Sequence, residues 1–160
     1  MPWQQTPYTL PLVLGAIGFA ATAIYVLVRP GERARPPGTN LAAALLVASG
    51  FWLLTYALEL SSASLEGAIL WSQVQYFGAT VVPVLCFVYV LRYTGVVTEL
   101  SLRAWVALGA IPAVTVLLAV TNASHGLIWE EFTLVSGDGY TRVAKSHGPW
   151  FAVYIVYAYG

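Results

Sequence analysis

Charge is what this sequence has least of. Charged residues fill 9% of its 160 positions, with seven basic side chains against seven acidic ones, whereas an ordinary soluble domain carries roughly 25%. No face of the chain can be basic enough to hold nucleic acid, so no nucleic-acid partner is expected. Cysteine is almost absent. Cys86 stands alone, which excludes an internal disulfide and any Cys-rich metal pattern, and its place inside an apolar run points to plain packing. There is no P-loop, no dinucleotide fingerprint, no nucleophile elbow and no His-Glu-x-x-His helix. No catalytic residue, metal site or cofactor is therefore expected. A cleavable leader is excluded too, because Met1 to Pro7 contains no Lys or Arg and hydrophobicity continues past Ala21-Thr22-Ala23 to Val28.

What the chain has in abundance is apolar residues, at 59% of its length, and they are contiguous. Four runs, Tyr8 to Val28, Leu41 to Leu60, Ala68 to Leu91 and Ala104 to Thr121, each approach the ~20 residues that a helix needs to cross hydrocarbon. A fifth begins at Pro149 and stops at Gly160, where it would reach only ~18 Å of the ~30 Å required. The natural reading frame is expected to continue past it. The fold class expected is all-α: a polytopic transmembrane helix bundle with four full helices, a truncated fifth, and a β-hairpin in the long outer loop.

Capping residues agree with these limits. Thr6-Pro7, Asn40, Ser64, Ser101 and Gly148-Pro149 stand at the five starts. Pro83 and Pro112 lie inside helices three and four, each lacking an N–H for the carbonyl one turn back, so kinks facing neighbouring helices are expected. Ala16 with Ala20, and Gly109 with Ala113, offer small surfaces for close helix approach. Basic residues set the orientation: Arg29, Arg33 and Arg35 in the first loop and Arg92 and Arg103 in the third place loops 29–40 and 92–103 in the cytoplasm and the N-terminus outside. The location implied is the plasma membrane, with the lipid bilayer as first partner.

Polar groups within apolar helices usually face the bundle interior, because lipid exposure is costly. Trp52, Tyr56 and Glu59 recur at i, i+4 and i+7 on helix two, and Trp71 and Gln75 at i and i+4 on helix three, with Gln73 and Tyr76 beside them. They form either an outward-opening ligand cleft or an interfacial aromatic belt. Glu59 and Gln75 should face each other in the outer half of the bundle, with the segment from His125 to Trp129 above them. Tyr56 is the alternative partner for Gln75 if Glu59 snorkels outward. A buried Glu59 without a basic partner would resist ionisation.

The loop from Asn122 to Gly148 is too long for a simple connection. Phe132 to Val135 and Tyr140 to Val143 flank Ser136-Gly137-Asp138-Gly139, which is a hairpin pattern. Such a hairpin would lie as a lid over the outer mouth. His125 and His147 bracket it, and they are read as hydrogen-bonded loop residues ahead of pH sensors or metal ligands. Asn122-Ala123-Ser124 matches a glycosylation sequon that is too common to carry weight.

Several segments, taken together, resemble the N-terminal seven-transmembrane sensor region of membrane-bound histidine kinases. They are Trp3-Gln4-Gln5-Thr6-Pro7-Tyr8, Trp52 to Leu60, Trp71 to Gly78 followed by Pro83, Tyr93-Thr94-Gly95, Ile111-Pro112, Thr121-Asn122 with His125 to Trp129, and Gly148-Pro149-Trp150-Phe151. The likeness runs through the whole chain in order. It implies a signal-input module, answering an unidentified small-molecule or physical stimulus, within a homodimer whose kinase or other output domain lies outside this sequence. The recurrent Trp, Glu, Gln, Asn and His positions would fall on the outward half, so Trp52, Tyr56, Glu59, Trp71, Gln75, Tyr76, Asn122, His125 and Trp129 are the candidate ligand-binding residues. A transporter or channel fragment, with Glu59 and Gln75 lining a path, is the competing reading; no internal repeat supports it.

Overall fold

The computed structural model describes residues 2–28, 38–137 and 139–160. Arg29, Arg33 and Arg35, on which half the orientation argument rests, and Asp138 in the hairpin turn lie outside them. Six helices follow in chain order: α1 (Thr9–Val28), α2 (Thr39–Ser61), α3 (Leu65–Ala79), α4 (Val81–Tyr93), α5 (Leu102–Val120) and α6 (Pro149–Tyr159). Among the described residues, four apolar stretches are long enough to cross a membrane: α1, α2, the α3–α4 pair taken as one span, and α5. Their outward faces are apolar. Ile17, Ile24, Phe87 and Leu117 are all exposed, as lipid-facing side chains should be.

Local chemistry explains most of the helix ends. The Ser64 and Ser101 hydroxyls each accept a backbone N–H of the first turn at 3.3 Å, from Gly67 and Ala104. Asn40, by contrast, is not a cap. It lies within α2, whose cap is Gly38 at φ +87°, a left-handed conformation that glycine adopts without strain. Thr6 accepts from Thr9 through its backbone carbonyl, and its hydroxyl joins a chain to Thr9 and Ser61. Pro149 stands in the first turn of α6, where its missing N–H costs nothing.

The two prolines inside the third and fourth spans behave differently. Pro83 divides the third span, with α3 ending at Ala79 and α4 restarting at Val81, whereas Pro112 is carried inside a continuous α5. Each proline leaves the carbonyl four residues earlier without its helical donor. For Pro83 that carbonyl is Ala79, and the Tyr154 hydroxyl donates to it at 3.0 Å. For Pro112 it is Leu108, and the Tyr157 hydroxyl donates to that one. Both donors sit on one face of α6, together with Trp150, whose indole N–H reaches the Thr115 hydroxyl on α5 at 3.0 Å. Both proline gaps thus face a neighbouring helix, and one helix serves both.

Small residues set some helix approaches and not others. Ala16 is buried against Gly50, whose missing side chain leaves room for the Ala16 carbonyl and Phe19. Gly78 is tighter. A Cβ there would stand 2.9 Å from the Ala48 carbonyl and from the Phe51 ring, so α2 and α3 can meet only at glycine. Gly109 has open space where its side chain would be, and Ala20 and Ala113 are exposed; these three do not mediate packing. Cys86 is also exposed, on the apolar surface of α4, rather than packed inside.

At one end of the bundle the chain builds a cap. Strands β1 (Trp129–Gly137) and β2 (Tyr140–His147) pair antiparallel, with Phe132 opposite Lys145 and Val135 opposite Arg142. The hairpin is longer than the sequence pattern suggests, and a bulge between Trp129 and Glu131 adjusts its register. The N-terminal segment joins the cap. Trp3 bridges to Ser62 in the α2–α3 turn, and the Gln4 side chain accepts the Thr141 N–H at 2.8 Å while donating to the Thr141 and Leu60 carbonyls. One glutamine therefore staples β2 to the end of α2.

Candidate functional site

Beneath the hairpin lies a buried carboxylate. Glu59 stands in the last turn of α2, 5% exposed, and accepts a hydrogen bond from the Gln75 amide on α3. The two side chains meet because antiparallel helices joined by a three-residue turn bring the end of one beside the interior of the next. Glu59 is not alone with an amide. Lys145, from β2, places its ammonium 2.7 Å from one carboxylate oxygen and 2.8 Å from the other. The basic partner missing from the sequence argument thus arrives from the loop, and Lys145 itself is only 17% exposed.

Such a pair is not a plain stabiliser. Desolvating both ions costs several kcal/mol, and their attraction offsets this only with good geometry and further hydrogen bonds. Gln75 supplies one of those. Lys145 also lies 5.7 Å above the Trp129 ring, within reach of a cation–π contact. What results is a tie between cap and bundle that is strong when closed and costly when half open.

Aromatic rings extend from this tie into the bundle. Trp129 is 2% exposed and packs with Ala119 and Ile128. Tyr76 meets it edge-on at 4.9 Å, and Phe132 packs against it at 5.2 Å. Tyr76 in turn lies 6.4 Å from Tyr154, the residue whose hydroxyl fills the gap left by Pro83. Contacts are continuous from Lys145 on the cap to the break between α3 and α4.

Asn122 shapes the loop that delivers Trp129. Its side-chain oxygen accepts the Ile128 and Trp129 N–H groups, each at 3.0 Å, and its amide donates to the Trp129 carbonyl at 2.8 Å. Its oxygen is saturated by the loop, so Asn122 holds Trp129 in place as well as lining the groove beside it. His125 is exposed. Its Nδ1 accepts the Leu127 N–H at 3.0 Å, which leaves the proton of a neutral ring on Nε2 to donate to the Thr121 hydroxyl at 3.1 Å. Beside it, a groove of about 410 Å³ opens between α3 and the loop, lined by Gln73, Ser124, His125, Glu130 and Phe132 among others.

The remaining candidates are placed elsewhere. Trp52 and Tyr56 are 39% and 40% exposed; it is Thr55, one turn before Glu59, that is buried on the inner face. Tyr56 lines a separate groove with Tyr8 and Arg142, and so is not the partner of Gln75. Trp71 keeps its indole N–H buried with no acceptor among the described residues. His147 stacks on Phe151 at 3.8 Å, and burial, followed by the neighbouring Lys145 charge, pushes its pKa below the usual histidine range. Among the described residues, no three His, Cys, Asp or Glu side chains gather as a metal site would require.

Four participants escaped the sequence reading. Lys145 looked like one charge in a mixed loop, although its place in an alternating strand beneath a Trp could have marked it. Gln4 gave no signal. Tyr154 and Tyr157 did, since Trp150, Tyr154 and Tyr157 recur at i, i+4 and i+7 on a helix otherwise apolar.

The family model for the N-terminal 7TM region of histidine kinase matches residues 11–160. Among curated proteins and among solved structures, none matches the chain.

Proposed function

The chain belongs to the family of N-terminal 7TM regions of histidine kinases, and on that premise we propose that it is a receptor whose cap passes a stimulus to the bundle through the Glu59–Lys145 pair. A multi-pass membrane location follows from the family and the four apolar spans. In this reading the hairpin and N-terminus face outward and loops 29–40 and 92–103 face the cytoplasm. Trp71, Gln75, Tyr76, Asn122, His125 and Trp129 receive the stimulus with Glu59, while Trp52 and Tyr56 contribute from the α2 rim. The chain acts within a homodimer on a cytoplasmic output domain, a histidine kinase.

One observation carries the reading: a buried ion pair joins the cap to the bundle, at the head of ring contacts that end where Pro83 interrupts the third span. A stimulus that favours the open cap needs only to shift the population between two bundle states. Relief of the ion pair changes the seat of Trp129, then of Tyr76 and Tyr154, and so the angle between α3 and α4. The test is autophosphorylation of the full-length kinase in liposomes, with Glu59→Gln beside the natural protein. Glu59→Gln should alter the response to stimulus while the protein still folds. Autophosphorylation unchanged across ligands, pH, salt and membrane tension in both proteins would overturn the reading.

A further inference from the structure

A second concavity lies on another side of the cap, between the start of α1, the end of α2 and strand β2. It holds about 440 Å³. Leu12, Leu53 and Leu60 form its floor, and Tyr8, Tyr56, Tyr140 and Arg142 stand around it. Tyr140 and Arg142 are two apart on β2 and so share one face of the strand, and the Gln4 staple on the intervening Thr141 fixes that face against α2. Tyr8 meets Tyr140 edge-on at 6.1 Å. Arg142 is exposed, and among the described residues the ion pair present is that of Glu59 with Lys145, which leaves the guanidinium without a carboxylate.

The chemistry of this concavity changes with depth. Its floor belongs to the apolar spans and its rim to the polar cap, so it straddles the level at which acyl chains give way to headgroups. Tyrosine favours that level because its ring is apolar and its hydroxyl is wet. The N-terminal end of α1 adds the positive pole of its backbone dipole beside Tyr8 and Leu12. A guanidinium pairs with phosphate through two parallel N–H groups, which a lysine cannot reproduce.

We propose that this groove seats the headgroup of an anionic phospholipid from the adjoining leaflet. Arg142 grips the phosphate, the Tyr8 and Tyr56 hydroxyls donate to phosphate or glycerol oxygens, and the first acyl carbons lie on Leu12, Leu53 and Leu60. A bilayer lipid is the occupant because Pro11, which also lines the groove, is exposed one turn from Leu14 on the lipid-facing surface of α1. The proposal does not rest on the sensor reading: Tyr56 is shared with the α2 rim, but Arg142 and Leu12, on which the test turns, take no part in the Glu59–Lys145 pair.

The experiment is native mass spectrometry of the purified protein from nanodiscs containing both phosphatidylglycerol and phosphatidylcholine. The natural protein should retain phosphatidylglycerol preferentially, and Arg142→Gln should lower that retention about fivefold, the value of one cationic side chain near a charged membrane surface. Arg142→Lys should recover only part of it. Leu12→Trp, which fills the groove and leaves the charge in place, should also expel the lipid, so a loss does not depend on one variant's folding. Equal retention of the two lipids by the natural protein, or unchanged phosphatidylglycerol retention in both Arg142→Gln and Leu12→Trp, would overturn the site.

Discussion

Lys145 and Glu59, 86 residues apart in the chain, close to 2.7 Å beneath the hairpin. Their exposures are unequal: the lysine retains some contact with solvent and the glutamate almost none. A lysine stem can swing outward and keep its charge wet, but a carboxylate at the foot of α2 has no such route. Removal of either partner should therefore have unequal effects.

Lys145→Met should destabilise the protein by about 3 kcal/mol, because it strands the Glu59 carboxylate in a buried site. Glu59→Gln should cost less, and the double variant should recover most of the loss. Denaturant unfolding in detergent micelles measures all three. A double variant as unstable as Lys145→Met alone would show that Lys145 acts through packing on Trp129 and not through charge.

Tyr154→Phe removes the donor that serves the Ala79 carbonyl, and should cost about 1 kcal/mol. Pro83→Ala restores a backbone N–H four residues after Ala79. In that background Tyr154→Phe should cost close to nothing, which gives a coupling of about 1 kcal/mol in a double-mutant cycle. Equal costs in both backgrounds would mean that the hydroxyl stabilises something other than the proline gap.

Acidification should loosen the junction between β2 and α6. His147 has a pKa lowered in the folded protein by burial and by Lys145, so protons bind the unfolded chain more tightly than the folded one. Stability is then complete above the unfolded-state value near 6.5 and declines as pH falls below it toward the folded-state pKa. Hydrogen exchange of the His147, Gly148, Trp150 and Phe151 amides should accelerate across that window, and His147→Gln should make it independent of pH there. The ring is largely open to solvent, which keeps the effect local.

The membrane spans were legible because contiguity of apolar residues is a one-dimensional property. The meeting of Glu59 with Gln75 was legible too, since it depends only on helix period and a short turn. Lys145 was not, because nothing local records that a residue in a loop will fold back across α2. Tyr56 was assigned a face from its spacing to Glu59, but three residues turn a helix through 300° and not 360°, which is enough to bring it round to the Arg142 side. The proline gaps were visible, and the need for donors was visible. Which residues would supply them became readable only once α6 was seen to carry three polar groups along one edge.

Tyr154 and Tyr157 have one more consequence, which concerns the order in which the protein is made. The third span and α5 leave the ribosome before α6 exists, and each carries a proline-freed carbonyl. An unanswered carbonyl in hydrocarbon costs several kcal/mol, so neither span can settle into its final seat at the moment of insertion. Both must wait at the translocation machinery, or borrow water or lipid oxygens, until the α6 hydroxyls arrive together. Seating of the third span and of α5 is therefore completed only when α6 arrives, with a single helix closing two gaps in one event.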